Sequence, residues 1–181
     1  MSIFPNSCRL ILTLCLAGFG GLAISTAAQA GPDDFGPGPL IETHGRIAAV
    51  DYDMPIPAGA TFAVAFDTAT QAGPDALNRT LTSAARFLNM HVANGLAPEA
   101  LQVAVVVHGS AVLDVASETA GGNAELIATL LDHNVRVIVC GQSAAYQDVV
   151  REDLLPGVEM ALSAMTAHAL LQQDGYTLNP F

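Results

Sequence analysis

The sequence predicts an α/β fold built on a mainly parallel sheet of about five strands. Three short runs, residues 61–66, 103–107 and 135–139, are apolar at consecutive positions. Strands have this pattern when helices cover both faces of a sheet. Between the runs lie segments whose apolar residues recur every three or four positions, which is the spacing of an amphipathic helix. This alternation indicates right-handed crossovers in a doubly wound sheet.

The first 30 residues precede this alternation and have the pattern of a secretory signal sequence. Arg9 supplies a positive charge, an apolar stretch runs from Leu10 to Ile24, and alanines at positions 28 and 30 suit signal peptidase. Cleavage there would make Gly31 the first residue, so we expect a periplasmic or secreted bacterial protein. A transmembrane anchor is the alternative, but three glycines interrupt a stretch that is already short for a span of about 20 residues.

Residues 31–58 are predicted to form a flexible leader and a loop. The segment from 31 to 39 is acidic and rich in glycine and proline, and the segment from 51 to 59 carries two more prolines. Residues 40–50 could contain extended structure. The α/β domain is therefore expected to cover residues 59–181, enough for one hydrophobic core.

Three helices are expected within that domain. The first carries apolar residues from Leu77 to Val92 and ends at Gly95. The second is capped by Asn123 and ends at Asn134. The third and longest is expected over 158–173, after a Pro-Gly pair, and residues 176–181 follow as a last strand.

The expected helix over 158–173 is apolar on nearly every side. A helix of this kind is normally buried all round, which one layer of helices over one sheet does not achieve. The pattern therefore predicts a homo-oligomer. The alternative is that its small alanine side chains tolerate partial exposure.

Composition excludes several classes of function. The chain has 17 acidic residues against six basic ones, all arginine, for a formal net charge of −11. Nucleic acids and anionic membranes select basic surfaces, so we expect no nucleic-acid partner and no stable membrane insertion after signal removal. The lack of lysine excludes Schiff-base chemistry, and no Gly-rich dinucleotide or phosphate-binding loop is present.

Polar residues at three strand ends form the candidate site: Asp67, His108 and Cys140. Ligands of parallel sheets bind at this edge. Cys140 is the only cysteine outside the predicted signal sequence, and a helix starting near Ser143 could lower its thiol pKa. His108 could stabilise the thiolate or exchange its proton. Alternatively, Cys140 is an inert buried side chain, His108 and Asp67 are structural strand-end residues, or all three bind a metal.

The residues around these positions resemble the DsrE/DsrF-like family. Residues 103–111 (VAVVVHGSA) are similar to its strand followed by an HGxA signature, and residues 135–143 (VRVIVCGQS) follow in the family's order. Asn123 and the segment from Leu154 to Tyr176 fit the same pattern. The resemblance covers about Phe62 to Phe181.

This resemblance implies a flavodoxin-like three-layer α/β/α fold and assembly into trimers or hexamers through helix surfaces. Relatives that carry the cysteine take part in sulfur trafficking, which they perform by holding sulfane sulfur as a persulfide. The family cysteine falls on Cys140 and its histidine on His108. The leading hypothesis is therefore a persulfide carrier or sulfur-transfer protein that works with a sulfur donor or acceptor protein and needs no organic cofactor. The alternatives are a small-ligand or metal-binding module and an oligomeric scaffold with an inert cysteine.

Overall fold

A computed structural model describes residues 31–181, so the predicted signal sequence lies outside the described residues. The elements of the α/β domain are β1 (Phe62–Thr68), α1 (Arg79–Ala93), β2 (Leu101–Val107), α2 (Asn123–Asp132), β3 (Arg136–Cys140), α3 (Gly141–Tyr146), β4 (Glu159–Ala161), α4 (Ala164–Gln173) and β5 (Thr177–Asn179). A 3₁₀ helix, Gly109–Asp114, follows β2.

The five strands form one sheet in the order β4-β3-β2-β1-β5, and every neighbouring pair is parallel. Helices α1, α2 and α3 pack on one side, called here the front face, whereas α4 packs on the other, the back face. This arrangement confirms the expected three-layer, flavodoxin-like α/β fold. The parallel register matches Val107 of β2 with Val139 of β3, which brings the carboxyl ends of the central strands level.

The two faces of the sheet are packed differently. The front face buries large side chains, among them Phe66, Leu81 and Leu126, in the main hydrophobic core. The back face presents small or β-branched residues, which α4 covers with Ala167 and Leu171. Because α4 is the one helix on this face among the described elements, side chains at the rim of the back face remain partly exposed.

The prediction of a single helix over 158–173 is wrong. Its first residues form strand β4, which adds to the free edge of β3, and the helix begins only at Ala164. Ser163 separates the two elements by capping α4, because its hydroxyl accepts a 3.1 Å hydrogen bond from the Thr166 amide. Pairing with β3 satisfies backbone groups of these residues that an isolated first helical turn would leave open.

Asn123 also differs from expectation. It is the first residue of α2 instead of its cap, and Gly122 occupies the capping position. The Asn123 side chain instead accepts a 2.7 Å hydrogen bond from the backbone amide of Asn78, the residue that caps α1. The side chain thus ties the beginnings of two front-face helices together. Asn134 does follow the end of α2, with a positive φ of 59°.

Part of the segment expected to be a flexible leader packs on α1. Ile41 is 2% exposed, and a single antiparallel bridge joins Gly36 to Ile47. The buried side chain of Asn89 on α1 accepts hydrogen bonds from the amides of residues 40 and 41 and donates to three carbonyls of residues 41–45. One buried amide side chain therefore holds residues 40–45, in the segment where the sequence allowed extended structure. The boundary of the domain at residue 59 stays a prediction.

Within residues 31–181, no helix combines the length and the apolar character that crossing a membrane requires.

Candidate functional site

The three strand-end residues predicted from sequence lie on the back face, at the carboxyl edge of the sheet. Side chains alternate between the two faces of a strand. Ala65, Val106 and Ile138 pack against α4, so the residues two positions later, Asp67, His108 and Cys140, point to the same side. His108 and Cys140 keep extended backbones and follow the paired residues of β2 and β3, at a strand separation of about 4.8 Å.

Asp67 lies between two histidines. Its Oδ1 is 3.0 Å from Nε2 of His108, and its Oδ2 is 2.7 Å from Nε2 of His168 on α4. Burial raises the pKa of the Asp67 carboxyl, but the hydrogen bonds from His168 and His108 outweigh burial and leave that pKa below its usual value. Asp67 is therefore an ionised hydrogen-bond acceptor at neutral pH.

His168 is the member of this group that sequence analysis missed. The sequence gives no sign of its role, because His168 forms no spacing pattern with the other histidines. His168 is 101 residues from Asp67 in sequence and reaches it because α4 crosses the back face on its way from β4 to β5. Its Nδ1 is buried and has no hydrogen-bond partner among the described residues.

Cys140 ends β3 and caps α3. Its Sγ accepts a 3.4 Å hydrogen bond from the Ser143 amide. Burial raises the pKa of the thiol, but the Ser143 hydroxyl and the backbone amides of Ser143, Ala164 and Gln142 donate to the sulfur and bring the net pKa below its ordinary value. Amides at the starts of α3 and α4 thus favour a thiolate. Cys140 as a whole is only 5% exposed, so the sulfur lies within the rim and not on the surface.

Ser143 connects the cysteine to the histidine loop. Its Oγ accepts a 2.9 Å hydrogen bond from the amide of Gly109, the residue after His108, while its own hydroxyl donates to Cys140. The sequence indicated a helix start near Ser143 but gave this hydroxyl no role. Its position three residues after the capping Cys140 is a signal that could have identified it, since side chains there reach back to the cap.

Two glycines allow these loops to approach the site. Gly109 has a φ of +55°, and a Cβ there would lie 2.5 Å from the carbonyl oxygen of Ala69. At Gly141, a Cβ would lie 2.8 Å from the carbonyl oxygen of Ala161 at the end of β4. Each glycine directly follows a residue of the candidate site, so this close backbone packing fixes the positions of His108 and Cys140.

The two histidine rings, His108 and His168, hydrogen-bond directly to the carboxylate of Asp67. Among residues 31–181, no group of three His, Cys, Asp or Glu side chains has an arrangement that could hold a metal ion. The arrangement supports proton exchange and nucleophilic attack, because an ionisable thiol and an imidazole oriented by a carboxylate lie on adjacent strands.

The chain is similar to a known protein family and to a solved structure. A model of the DsrE/DsrF-like family matches residues 61–180. A solved structure of a protein of unknown function from Methanobacterium thermoautotrophicum is similar, with a TM-score of 0.53 and 18% sequence identity. The match covers 66% of this chain and 99% of that one, and at this identity it supports the fold alone. A search among curated proteins gave no match.

Proposed function

This chain belongs to the DsrE/DsrF-like family, and we propose that it is an exported carrier of sulfane sulfur in which Cys140 holds the sulfur as a persulfide. Membership of the family suggests a sulfur-relay-related role. The observation that carries the proposal is the surroundings of Sγ, where amides from two helix starts and the Ser143 hydroxyl favour the thiolate. A thiolate is the form of cysteine that attacks sulfur.

The transfer step balances without an external oxidant. The Cys140 thiolate attacks the outer sulfur of a donor persulfide, R–S–SH. The donor's S–S bond breaks as a new S–S bond forms on Cys140, giving Cys140–S–SH and the thiolate R–S⁻. The sulfane sulfur keeps its oxidation state, and delivery to an acceptor thiolate is the same step in reverse.

His108 supports this chemistry as the proton partner. Its Nε2 is held by Asp67, and its place beside Cys140 in the β2–β3 register suits an imidazole that takes the thiol proton. The imidazolium that results would stabilise the thiolate and later protonate the departing R–S⁻.

The experiment is incubation of the folded protein with inorganic polysulfide, followed by peptide mass spectrometry of the Cys140 peptide. We expect the wild-type peptide to gain the mass of one sulfur atom and to lose it on addition of a thiol acceptor. Cys140→Ser should gain none. Ser117→Ala, a change at an exposed serine away from the site, is the matched control and should label normally. A wild-type Cys140 peptide that never gains sulfur would contradict the proposal and favour a scaffold with an inert cysteine.

Export is supported by the signal-like pattern of the first 30 residues. Protein recovered from the periplasm of an expressing bacterium should begin at Gly31. Recovery of uncleaved chain in the cytoplasm alone would contradict this part of the proposal.

Assembly into a homo-oligomer is supported by exposed apolar side chains on α4 and on the segment that joins β4 to α4. Leu162, Met165 and Leu170 are 72%, 80% and 54% exposed. Clusters of large exposed apolar side chains are typical of protein–protein contacts. Sedimentation should give a trimer or hexamer for the wild type and a smaller species for Met165→Glu. Val50→Glu, at an exposed leader position, should leave the assembly intact. A monomeric wild type would rule out this part of the proposal.

A further inference from the structure

The contacts of Asp67 determine where two protons sit. An ionised carboxylate has no proton to donate and only accepts hydrogen bonds. The Nε2 atoms of His108 and His168, at 3.0 and 2.7 Å from its two oxygens, must therefore both carry hydrogen. A neutral imidazole has one N–H, so the Nδ1 atom of each ring is then the bare, basic nitrogen.

We propose that His168 is a positioning residue for the sulfur chemistry at Cys140. By occupying Oδ2 of Asp67 it leaves Oδ1 to His108, and this holds His108 in the tautomer whose Nδ1 is free to take the Cys140 proton. The inference rests on the proposed function for its purpose, but the tautomer it requires can be measured whether or not Cys140 carries sulfur.

A purely structural role explains His168 poorly. It lies on the helix face next to Ala167, where the back-face cluster of Ala65, Ala104, Val106 and Ile138 is otherwise apolar. Its side chain is only 18% exposed, and its buried Nδ1 has no partner among residues 31–181. A buried polar atom without a partner destabilises the fold. An apolar side chain would pack here without that cost, so the bond to Asp67 is what the histidine supplies.

Helix α4 also ties this contact to the sulfur. The same helix that carries His168 begins with the Ala164 amide, which donates toward Cys140 Sγ. The groups that face Asp67 or Cys140 are His108 directly after β2, the Ser143 hydroxyl from α3 and His168 from α4. The Arg136–Glu159 ion pair lies at the opposite edge of the sheet. No other described ion pair reaches Asp67.

The proton follows a closed path in this scheme. The thiol S–H bond of Cys140 breaks as its proton passes to His108 Nδ1, and Asp67 stabilises the imidazolium through Nε2–H. After the thiolate has attacked the donor R–S–SH, the same proton moves from Nδ1 to the departing R–S⁻ to give R–SH. His108 returns to its starting tautomer, and no net charge is left behind.

The test measures the pH dependence of Cys140 alkylation by iodoacetamide in the folded full chain. His168→Leu removes the hydrogen bond but keeps an apolar side chain of similar size. It should raise the apparent pKa of Cys140 and slow alkylation at neutral pH about tenfold, the effect of roughly one pKa unit while thiolate is the minor form. His168→Gln can still donate from its side-chain amide to Asp67 and should stay within about twofold of wild type.

His133→Leu is the matched control, because His133 follows α2 at the opposite edge of the sheet. It should leave the alkylation profile unchanged. A wild-type profile in His168→Leu would overturn the inference, and so would an equal loss in His168→Leu and His168→Gln.

A second measurement decides the matter if His168→Leu does not fold. The ¹⁵N resonances of the imidazole rings in the wild-type protein report which nitrogen carries the proton. We expect neutral His108 and His168 both to be protonated at Nε2. A neutral His108 protonated at Nδ1 would overturn the inference. Failure of Cys140 to gain sulfur would contradict only the proposed function, since the tautomers do not depend on it.

Discussion

The two ends of strand β3 carry polar side chains on the same back face, but their surroundings differ. At its start, Arg136 makes a bidentate ion pair with Glu159 of β4, with distances of 2.9 and 2.8 Å, and both side chains are more than 40% exposed. At its end, Cys140 is 5% exposed, and the neighbouring strand β2 leads to His108, which together with His168 holds the carboxylate of Asp67. One end is a solvated pair, whereas the other combines a buried thiol with an imidazole and a carboxylate whose side chains are 31% and 34% exposed.

This difference is the reason that we place the proposed chemistry at one end only. An exposed ion pair gains at most about 1 kcal/mol because water screens it, and it stays charged over a wide pH range. At the carboxyl end, burial opposes the charge on Asp67 and Cys140 while specific hydrogen bonds favour it. Groups balanced in this way change protonation with small changes in their contacts, as acid–base and nucleophilic residues must.

Among the variants that test the comparison between the two ends of β3, Gly109→Ala is expected to have the largest effect on stability. Its positive φ and the 2.5 Å approach to the Ala69 carbonyl should cost about 3 kcal/mol in the free energy of unfolding. Urea unfolding measures this loss. Gly95→Ala is the control, because Gly95 has a φ of +89° but nothing within 4 Å of an added Cβ. It should lose only about 1 kcal/mol. Equal losses would mean that the close approach to Ala69 does not matter.

A smaller effect is expected from Ser143→Ala. The change removes the hydroxyl that accepts from the Gly109 amide and donates to Cys140. We expect a loss of about 1 kcal/mol in stability and a rise in the apparent pKa of Cys140, measured by alkylation across pH. Ser117→Ala should change neither. A Cys140 pKa that falls in Ser143→Ala would show that the hydroxyl does not favour the thiolate.

Asp67 should make stability depend on pH in the acid range. Its folded pKa lies below its unfolded value. Its contribution is therefore fully present above about pH 4 and is lost as the pH falls through the folded pKa. Asp67→Asn should lower the melting temperature at pH 7 but show a shallower decline below pH 4. Asp51→Asn, in the exposed leader, should decline like wild type. A melting temperature of Asp67→Asn that falls below pH 4 as steeply as that of the wild type would contradict the lowered pKa of Asp67.

The smallest effect is expected at the other end of β3. Glu159→Gln breaks the Arg136 pair and should cost less than about 1 kcal/mol, a loss that shrinks further in high salt. Chemical unfolding at two salt concentrations measures it. Alkylation of Cys140 should be unchanged. A shifted Cys140 profile in this variant would erase the contrast between the two ends.

The fold was largely predictable because each central strand is a continuous apolar run. The exception was residues 158–173, where Met, Ala and Leu suit a helix throughout and hide strand β4. Only Ser163, the helix cap, marks the break. Strand β4 forms because the edge of β3 lies open beside it, and that is a tertiary cause that local sequence does not record. The sheet has five strands, as expected, but β4 is one of them and residues 40–50 are not.

The candidate site was predictable in part. Asp67, His108 and Cys140 each end an apolar run, and parallel strands bring such ends to one edge. The contact between His168 and Asp67 depends on where α4 crosses the sheet, and the sequence does not show that when the start of the helix is misplaced. The hydrogen bond from Gly109 to Ser143 depends likewise on the meeting of two helix starts, that of the 3₁₀ helix after β2 and that of α3, whose residues are 34 positions apart.

The central claim is that the fold favours the Cys140 thiolate and leaves it reachable. The measurement that tests this most directly is the rate of Cys140 alkylation across pH in the native protein and in the same protein unfolded in urea. We expect the native thiol to react and its apparent pKa to lie below that of the unfolded chain. A native thiol that does not react, or whose apparent pKa equals or exceeds the unfolded value, would contradict the account.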